Sequence, residues 1–331
     1  MLIALALVGE EVPPTLFDAP PKRLPETLDG SHVTAIGFTR DSRIAVGTET
    51  GRIEIREHDG SPTVAGGRQL DLSSIVALAF SSDGKYVAAA TLRSVYIVDL
   101  FRLQTIIKVN PFDADDYLAG INSIALNSHA THLAVGDLNV TVYDIRSRSR
   151  IAVLSSTPFG EYGERGEYKS LSFTDEFLYA SDVFGTDVWA SWTWKLASSF
   201  QCSCFHELKW SPDQRWASFG TADGHVLLWD GASKRPTKDV TAAIAPGVYT
   251  GDTAVSNDAS MLFAGLSTGE VLAWTHGGDL PAGRVRVGTR PLLWLRLSPD
   301  GRQVIAGEES DEFIDAARAY RHDLWMVAVR R

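Results

Sequence analysis

The sequence predicts an all-β fold: a seven-bladed β-propeller of four-stranded antiparallel blades, with the last blade closed by an N-terminal strand. Three observations predict this architecture. One pattern recurs about every 43 residues, a period typical of propeller blades. Its apolar residues alternate with a period of two, which indicates strands and excludes a helical solenoid. The pattern occurs seven times along the chain, which is enough to close a ring.

Each repeat has the same internal order. An alternating strand ends on an apolar anchor, and a turn, a strand of small residues and a second alternating strand follow. Residues 33–55 and 75–97 match in this way without a gap. The anchors are Phe38, Phe80, Leu126, Phe173, Trp210, Val255 and Leu297. The linker to the next repeat supplies a fourth strand, as in residues 101–109, 147–155 and 283–288.

The last repeat lacks a fourth strand of its own and ends in an apolar strand around Trp325. Residues 21–30 stand directly before the first repeat, where a fourth strand belongs. We therefore expect them to pair with the C-terminal strand, which leaves the ring only short protected edges. The predicted organisation is a leader or disordered tail over residues 1–20 and a single propeller over residues 21–331.

The fifth repeat carries "WSPD", an Asp223-Gly224 turn and Trp229-Asp230 at a strand end. In these features the chain resembles the WD-repeat family of β-propellers, as a divergent member, over residues 22–331. The resemblance implies structural roles for Asp223, Ser218, Trp229 and Asp230. The family's buried hydrogen-bond network also needs a His, which this repeat does not supply.

Composition and motifs narrow the classes of function. A net charge of -10 argues against a nucleic-acid-binding surface, which needs clustered Lys and Arg. No apolar run approaches the ~20 residues of a membrane-spanning helix. The chain has no metalloprotease, serine-hydrolase or P-loop motif, so we predict no catalytic residue and no cofactor. Cys202, Cys204 and His206 alternate on one strand face; buried thiols are the preferred interpretation, and a zinc site is the alternative.

The N-terminal segment bears on the cellular location. Leu2 to Val8 form a short apolar run that lacks the basic residues that normally precede the core of a secretory signal. A cytoplasmic protein is the preferred interpretation. Export remains the alternative if residues 1–12 act as a signal segment.

Three linkers are longer than the repeat requires: Asn110 to Gly120, Ser155 to Tyr168, and Glu308 to His322. The first two join blades, the third joins a second strand to a third strand, and in a propeller both connections open on the same face. The linkers mix acidic and aromatic residues, which suits a binding surface on a rigid ring. The predicted partner-binding residues are Phe112, Asp115, Tyr117, Phe159, Tyr162, Phe313 and Tyr320. The alternative is that these are surface insertions whose aromatic side chains pack back on the ring.

The third linker has a helical pattern. Ser310 precedes an acidic turn, and Phe313, Ala317 and Tyr320 follow at helical spacing. This pattern predicts a short helix capped by Ser310 that stands on the face formed by the three linkers.

Together these features predict a non-catalytic scaffold that binds a protein or peptide on its loop-rich face. The predicted partner is a protein or peptide, with no nucleic acid and no membrane, and the propeller is expected to be monomeric within a complex. The alternative is a propeller that binds a small ligand, or acts as an enzyme, in its central channel. Fold alone does not decide between the two.

Overall fold

The computed structural model describes residues 16–111, 120–155, 166–201, 208–221, 224–231, 235–240, 247–275, 278, 280–314 and 319–330. Within these residues 28 strands form seven antiparallel sheets of four strands each, and there is no helix. The described residues therefore also contain no helix of the length and apolarity that a membrane crossing requires. The predicted all-β, seven-bladed propeller is confirmed.

Blade 1 contains β2 (Val33–Phe38), β3 (Ile44–Thr48), β4 (Arg52–Arg56) and β5 (Pro62–Gln69). Blade 2 contains β6 (Ala77–Phe80), β7 (Tyr86–Ala90), β8 (Val95–Asp99) and β9 (Gln104–Val109). Blade 3 contains β10 (Ser123–Leu126), β11 (His132–Gly136), β12 (Asn139–Asp144) and β13 (Ser149–Ser155). Blade 4 contains β14 (Ser170–Phe173), β15 (Phe177–Ser181), β16 (Gly185–Ala190) and β17 (Leu196–Gln201). Blade 5 contains β18 (Lys209–Trp210), β19 (Trp216–Gly220), β20 (Val226–Asp230) and β21 (Arg235–Asp239). Blade 6 contains β22 (Thr250–Val255), β23 (Met261–Leu266), β24 (Glu270–Thr275) and β25 (Gly283–Arg286). Blade 7 contains β26 (Leu292–Leu297), β27 (Gln303–Ile314), β28 (Ala319–Ala328) and β1 (Lys22–Arg23).

All seven predicted anchors are the last residues of the first strands of their blades. At six of the seven boundaries between blades the first strands contact one another, so they surround the central axis and the fourth strands form the rim. The anchors are apolar because each ends a strand that is enclosed between two blades.

The turn after each first strand explains the Asp that recurs three residues after most anchors. In blade 2 the Ser81 hydroxyl donates to Asp83 at 2.7 Å and accepts from the Tyr86 backbone N–H at 3.0 Å. Asp83 in turn accepts from the Lys85 N–H at 3.0 Å. These hydrogen bonds give the polar groups of the turn partners within the protein, so that the groups do not depend on water for hydrogen bonding. Equivalent hydroxyl–Asp pairs occur at Thr39/Asp41, Ser211/Asp213, Ser256/Asp258 and Ser298/Asp300.

The apolar core is a series of layers between neighbouring blades. The layer between blades 4 and 5 shows the principle, because Trp229 of blade 5 is fully buried there. Its ring lies 4.8 Å from that of Phe200 and 5.9 Å from that of Tyr179, measured between centroids and with edge-to-face geometry. Large aromatic side chains fill the widening space between blades and contribute strongly to stability.

The predicted closure of the ring is confirmed. Lys22 and Arg23 pair with Met326 and Trp325, so β1 is the fourth strand of blade 7. The contact continues toward the N-terminus, because Phe17 forms a bridge with Val329 and is buried in the core of blades 6 and 7. The contact with the C-terminal strand therefore begins at Phe17, before the predicted residues 21–30.

A buried ion pair fixes the chain where it passes from β1 to blade 1. Glu54 and Arg56 of β4 are both almost completely buried, with Nη2 of Arg56 at 3.1 Å from Oε2 of Glu54. Arg56 also donates to the carbonyl oxygens of Pro25 and Glu26, at 2.6 and 2.9 Å. Glu54 accepts from the Leu28 N–H at 2.9 Å. Both side chains of the ion pair thus form hydrogen bonds with backbone groups of the closing segment and hold it in place.

The predicted helix between Glu308 and His322 is wrong. β27 and β28 extend into this segment as one long hairpin, with Glu309 opposite His322 and Phe313 opposite Tyr320. Helix propensity is a weak local preference, and continuing an existing ladder of backbone hydrogen bonds outweighs it. The hairpin is irregular between Glu309 and Phe313, where the register shifts.

Candidate functional site

Two kinds of connection share one face of the ring: the links between blades and the hairpins between second and third strands. The Tyr168 N–H donates to the Asp137 carbonyl at 2.8 Å, and the Ile121 N–H donates to the Leu92 carbonyl at 2.9 Å. Each bond joins a link to a hairpin. We call this surface the insert face, because all three long linkers belong to connections of these two kinds.

Buried carboxylates fix the end of the second long linker. Asp182 accepts from the Gly166 N–H at 2.9 Å, and Asp187 accepts from the Tyr168 hydroxyl at 2.9 Å. Tyr168 itself is buried between blades 3 and 4. The linker therefore returns to the ring at a rigid point, which is the arrangement that a binding loop needs.

Glu308, at the start of the third long linker, is structural. Its Oε1 atom accepts from the backbone N–H groups of Thr289 and Arg290, both at 2.7 Å. Because Glu308 is buried by this contact, its charge stabilises the link between blades 6 and 7 and is not displayed to a partner.

The predicted partner-binding residues fall into two groups. Phe112, Asp115, Tyr117, Phe159 and Tyr162 lie outside the described residues. Phe313 and Tyr320 lie opposite each other across the β27–β28 hairpin, on a connection of the insert face.

Four exposed aliphatic side chains on the insert face were not predicted from the sequence. Leu28, Leu72, Leu138 and Val183 are 46, 89, 57 and 47% exposed. They lie in the connections that precede or belong to blades 1 to 4, an arc that also contains the described ends of two of the long linkers. A sequence signal was present, since each is an apolar residue inside a polar turn.

The central channel is a cavity of about 650 Å³ that is lined by both polar and apolar side chains. Its charged lining includes Arg296 and Lys209, which both approach Asp252. The carboxylate of Asp252 lies 2.9 Å from Arg296 Nη1 and 3.8 Å from Lys209 Nζ. Within the described residues, no group of three or more His, Cys, Asp or Glu side chains is placed to hold a metal ion. Cys202, Cys204 and His206 lie outside those residues.

Three of the four residues to which the resemblance assigns structural roles in the fifth repeat lie within the described residues. Trp229 is fully buried, but its Nε1 atom has no hydrogen-bond partner in the described part of the chain. Ser218 instead donates to the Thr253 hydroxyl of blade 6 at 3.0 Å. Asp230 lies opposite Trp216 at the end of β20, and Asp223 lies outside the described residues.

Tyr179 of blade 4, whose ring contacts that of Trp229, has a perturbed pKa. Burial, followed by the negative charges of Glu176 and Asp230, raises the pKa of Tyr179 to about 12. Its hydroxyl donates to the Gly231 carbonyl at 3.0 Å. The hydroxyl therefore stays protonated near neutral pH and joins blade 4 to blade 5.

Comparisons with known proteins agree with the repeat pattern. The family model described as "WD domain, G-beta repeat" matches residues 195–230, which run from the fourth strand of blade 4 to the third strand of blade 5. Among solved structures, the crystal structure of the RRP9 WD40 repeats is similar to this chain, with 16% sequence identity and a TM-score of 0.71. The similarity covers 95% of this chain and 99% of that chain. At this identity the likeness concerns the fold.

Proposed function

We propose that this protein, a divergent member of the WD-repeat β-propellers, is a non-catalytic scaffold that binds a protein or peptide on its insert face. WD-repeat propellers generally serve as protein-interaction scaffolds. The observation that supports this use here is the arc formed by Leu28, Leu72, Leu138 and Val183. All four side chains lie on the face to which the long linkers also belong, and loops on a rigid scaffold commonly carry the binding residues of a protein.

We infer that the two long linkers that join blades 2, 3 and 4 contribute aromatic and acidic residues to the same site. Phe112, Tyr117, Phe159 and Tyr162 would supply aromatic anchors, and Asp115 a charge. Aromatic anchors with a polar rim carry most of the binding energy of protein interfaces. Phe313 and Tyr320 would contribute from blade 7.

The same proposal describes a monomeric propeller that acts within a larger cytoplasmic complex. The net charge of -10 disfavours nucleic acid as the partner. Use of the central channel as a ligand site or active site has less support. Two charged side chains of its lining, Arg296 and Lys209, are already engaged by the buried carboxylate of Asp252.

The test compares two surface variants of the full chain. The double substitution Leu72→Asp and Leu138→Asp places charge in the centre of the arc, and Leu280→Asp changes an exposed leucine on the opposite face. Each variant is purified by affinity tag from its native cells after cross-linking, and recovered proteins are quantified against the wild type.

The proposal expects a partner that is lost with the double variant and retained with Leu280→Asp, at unchanged melting temperature. Equal recovery of every partner by both variants contradicts it. Turnover of a small molecule that survives the double variant and is abolished by Arg296→Ala would favour the channel instead.

A further inference from the structure

The outer strand of blade 3 has a free edge with exposed β-branched side chains. β13 (Ser149–Ser155) is seven residues long and pairs, among the described strands, with β12 alone. Ile151 and Val153 are 41 and 52% exposed in the middle of this strand. The outer strand of blade 1, in contrast, contains Pro62 and two glycines, which weaken a strand as a template for pairing. An exposed strand edge with β-branched side chains is suited to pairing with another strand.

The backbone of Val153 is directed toward this free edge. The Asp137 N–H donates to the Asn139 carbonyl at 3.0 Å, so Asn139 faces β11. The backbone N–H and C=O groups of successive residues point to opposite edges of a strand. Those of Val140 and Val142 therefore point to β13, where their partners are Leu154 and Ala152. Val153 lies between these two partners. Its N–H and C=O groups therefore point away from β12.

A cluster of positive charge stands at the start of the same strand. Arg146, Arg148 and Arg150 are exposed, and no carboxylate in the described part of the chain lies within ion-pair distance of them. The nearby Asp144 accepts hydrogen bonds from the Ser147 N–H and hydroxyl, both at 2.7 Å. This local excess of positive charge occurs in a chain with a net charge of -10.

We propose that the outer edge of β13 binds an extended acidic peptide segment of a partner protein by strand addition. The segment pairs its backbone with the free N–H and C=O of Val153. Its carboxylates lie near Arg146, Arg148 and Arg150, and its β-branched side chains cover Ile151 and Val153. Backbone pairing supplies affinity in this mode, and side chains and charge supply specificity. The site is on the rim and is independent of the insert face.

The probe is a fluorescein-labelled peptide of alternating Glu and Val, measured by fluorescence anisotropy with the full chain. A peptide of alternating Lys and Val and a single-stranded DNA oligonucleotide are the comparison probes. We expect micromolar affinity for the Glu-Val peptide that falls steeply with added salt, and at least tenfold weaker binding of the Lys-Val peptide, on the order expected for reversed charge. Equal binding of all probes, or none of the Glu-Val peptide, overturns the proposal.

Two changes separate strand addition from simple attraction between charges. Val153→Pro removes an N–H group that points to solvent, and it breaks no hydrogen bond between β13 and β12. Val153→Thr keeps that N–H group. We expect roughly tenfold weaker peptide binding for Val153→Pro and unchanged binding for Val153→Thr. N-methylation of the probe's backbone amides weakens binding to the wild-type protein in the same way, so the result holds even if Val153→Pro does not fold.

Three outcomes contradict the proposal. Full binding of the N-methylated probe means that the arginines attract anions without strand pairing. DNA binding that equals peptide binding and ignores Val153→Pro means that the rim is a nucleic-acid surface. Peptide binding that appears only after residues 156–165 are replaced by a Gly-Ser linker means that the chain's own segment occupies this edge.

Discussion

Asp252 of blade 6 and Arg296 of blade 7 form an ion pair across the boundary between the two blades, with Oδ2 and Nη1 2.9 Å apart. The same oxygen accepts from the Leu295 N–H at 2.9 Å and lies 3.8 Å from Lys209 Nζ of blade 5. One carboxylate, of which only 2% is exposed, thus links three blades beside the axis.

Asp252→Asn should therefore destabilise the ring. The substitution leaves two cationic side chains without their shared carboxylate, and we expect a loss of about 2–3 kcal/mol in the free energy of unfolding, less than for a fully buried pair because Arg296 reaches solvent. Urea unfolding measures it. Asp323→Asn, which breaks the exposed pair with Arg23, is the control and should cost less than about 1 kcal/mol. Equal effects of the two substitutions would mean that Asp252 does not join the blades.

Trp229 gives a second test of the packing between blades. Trp229→Ala should lower the free energy of unfolding by about 3–5 kcal/mol, because it removes a fully buried aromatic side chain between Tyr179 and Phe200. Trp192→Ala is the matched control, since this tryptophan is 64% exposed and should change stability by less than about 0.5 kcal/mol. Loss of partner binding at an unchanged melting temperature would instead make Trp229 a contact residue.

The repeat pattern predicted the strands well for a physical reason. Each strand is enclosed by its neighbours, so its apolar residues must alternate, and an anchor such as Phe80 or Leu297 marks its end. The helix over Ser310 to Tyr320 failed because local propensity does not report whether two strands can continue to pair.

The closing ion pair was missed for a different reason. Arg56 is the last residue of β4 and lies opposite Ile44. The equivalent residue of the fifth blade is Asp230, which lies opposite Trp216. A charged residue at a strand end ordinarily indicates solvent exposure, and nothing local shows that Arg56 reaches Pro25 and Glu26, about thirty residues earlier. The exposed aliphatic arc was missed likewise, because the exposure of Leu72 depends on the whole ring.

The turns predict a dependence of stability on acid. Hydrogen bonds from the Ser260 hydroxyl and N–H, and from Ser256, hold the pKa of Asp258 well below its usual range. Burial of Asp83 raises its pKa, but hydrogen bonds from the Lys85 N–H and the Ser81 hydroxyl outweigh burial and lower it. Because the pKa values are lower in the folded state, these carboxylates stabilise the fold above the unfolded value of about 4. That contribution is lost as the pH falls through the folded values.

Asp258→Asn tests this relationship. The variant should be less stable than the wild type at pH 7. The difference should begin to shrink below about pH 4, where Asp258 of the unfolded chain becomes protonated, and it should vanish only in stronger acid, where the folded carboxylate does as well. Melting temperatures measured from pH 7 to strong acid give the comparison. A difference that is independent of pH would assign the effect to the shape of the turn and not to its charge.

The last prediction concerns Arg56, which holds the closing segment. Arg56→Leu leaves the Glu54 carboxylate buried with the Leu28 N–H and a more distant Arg52, whose Nε lies 3.6 Å away, and it removes the donors to Pro25 and Glu26. We expect a loss of about 3–5 kcal/mol, as for other buried pairs from which one partner is removed. Hydrogen exchange at the Leu24 and Leu28 amides should accelerate before exchange in the blades.

The double substitution Glu54→Leu and Arg56→Leu separates charge from packing. It removes both buried charges together, so it should be clearly more stable than Arg56→Leu alone, with a coupling of at least about 1 kcal/mol in a double-mutant cycle. Arg43→Leu, which breaks the surface pair with Asp41, should change stability by less than about 1 kcal/mol. Strictly additive losses at Glu54 and Arg56 would show that the two side chains act independently, and the ring would then owe its closure to the pairing of β1 with β28 and to Phe17.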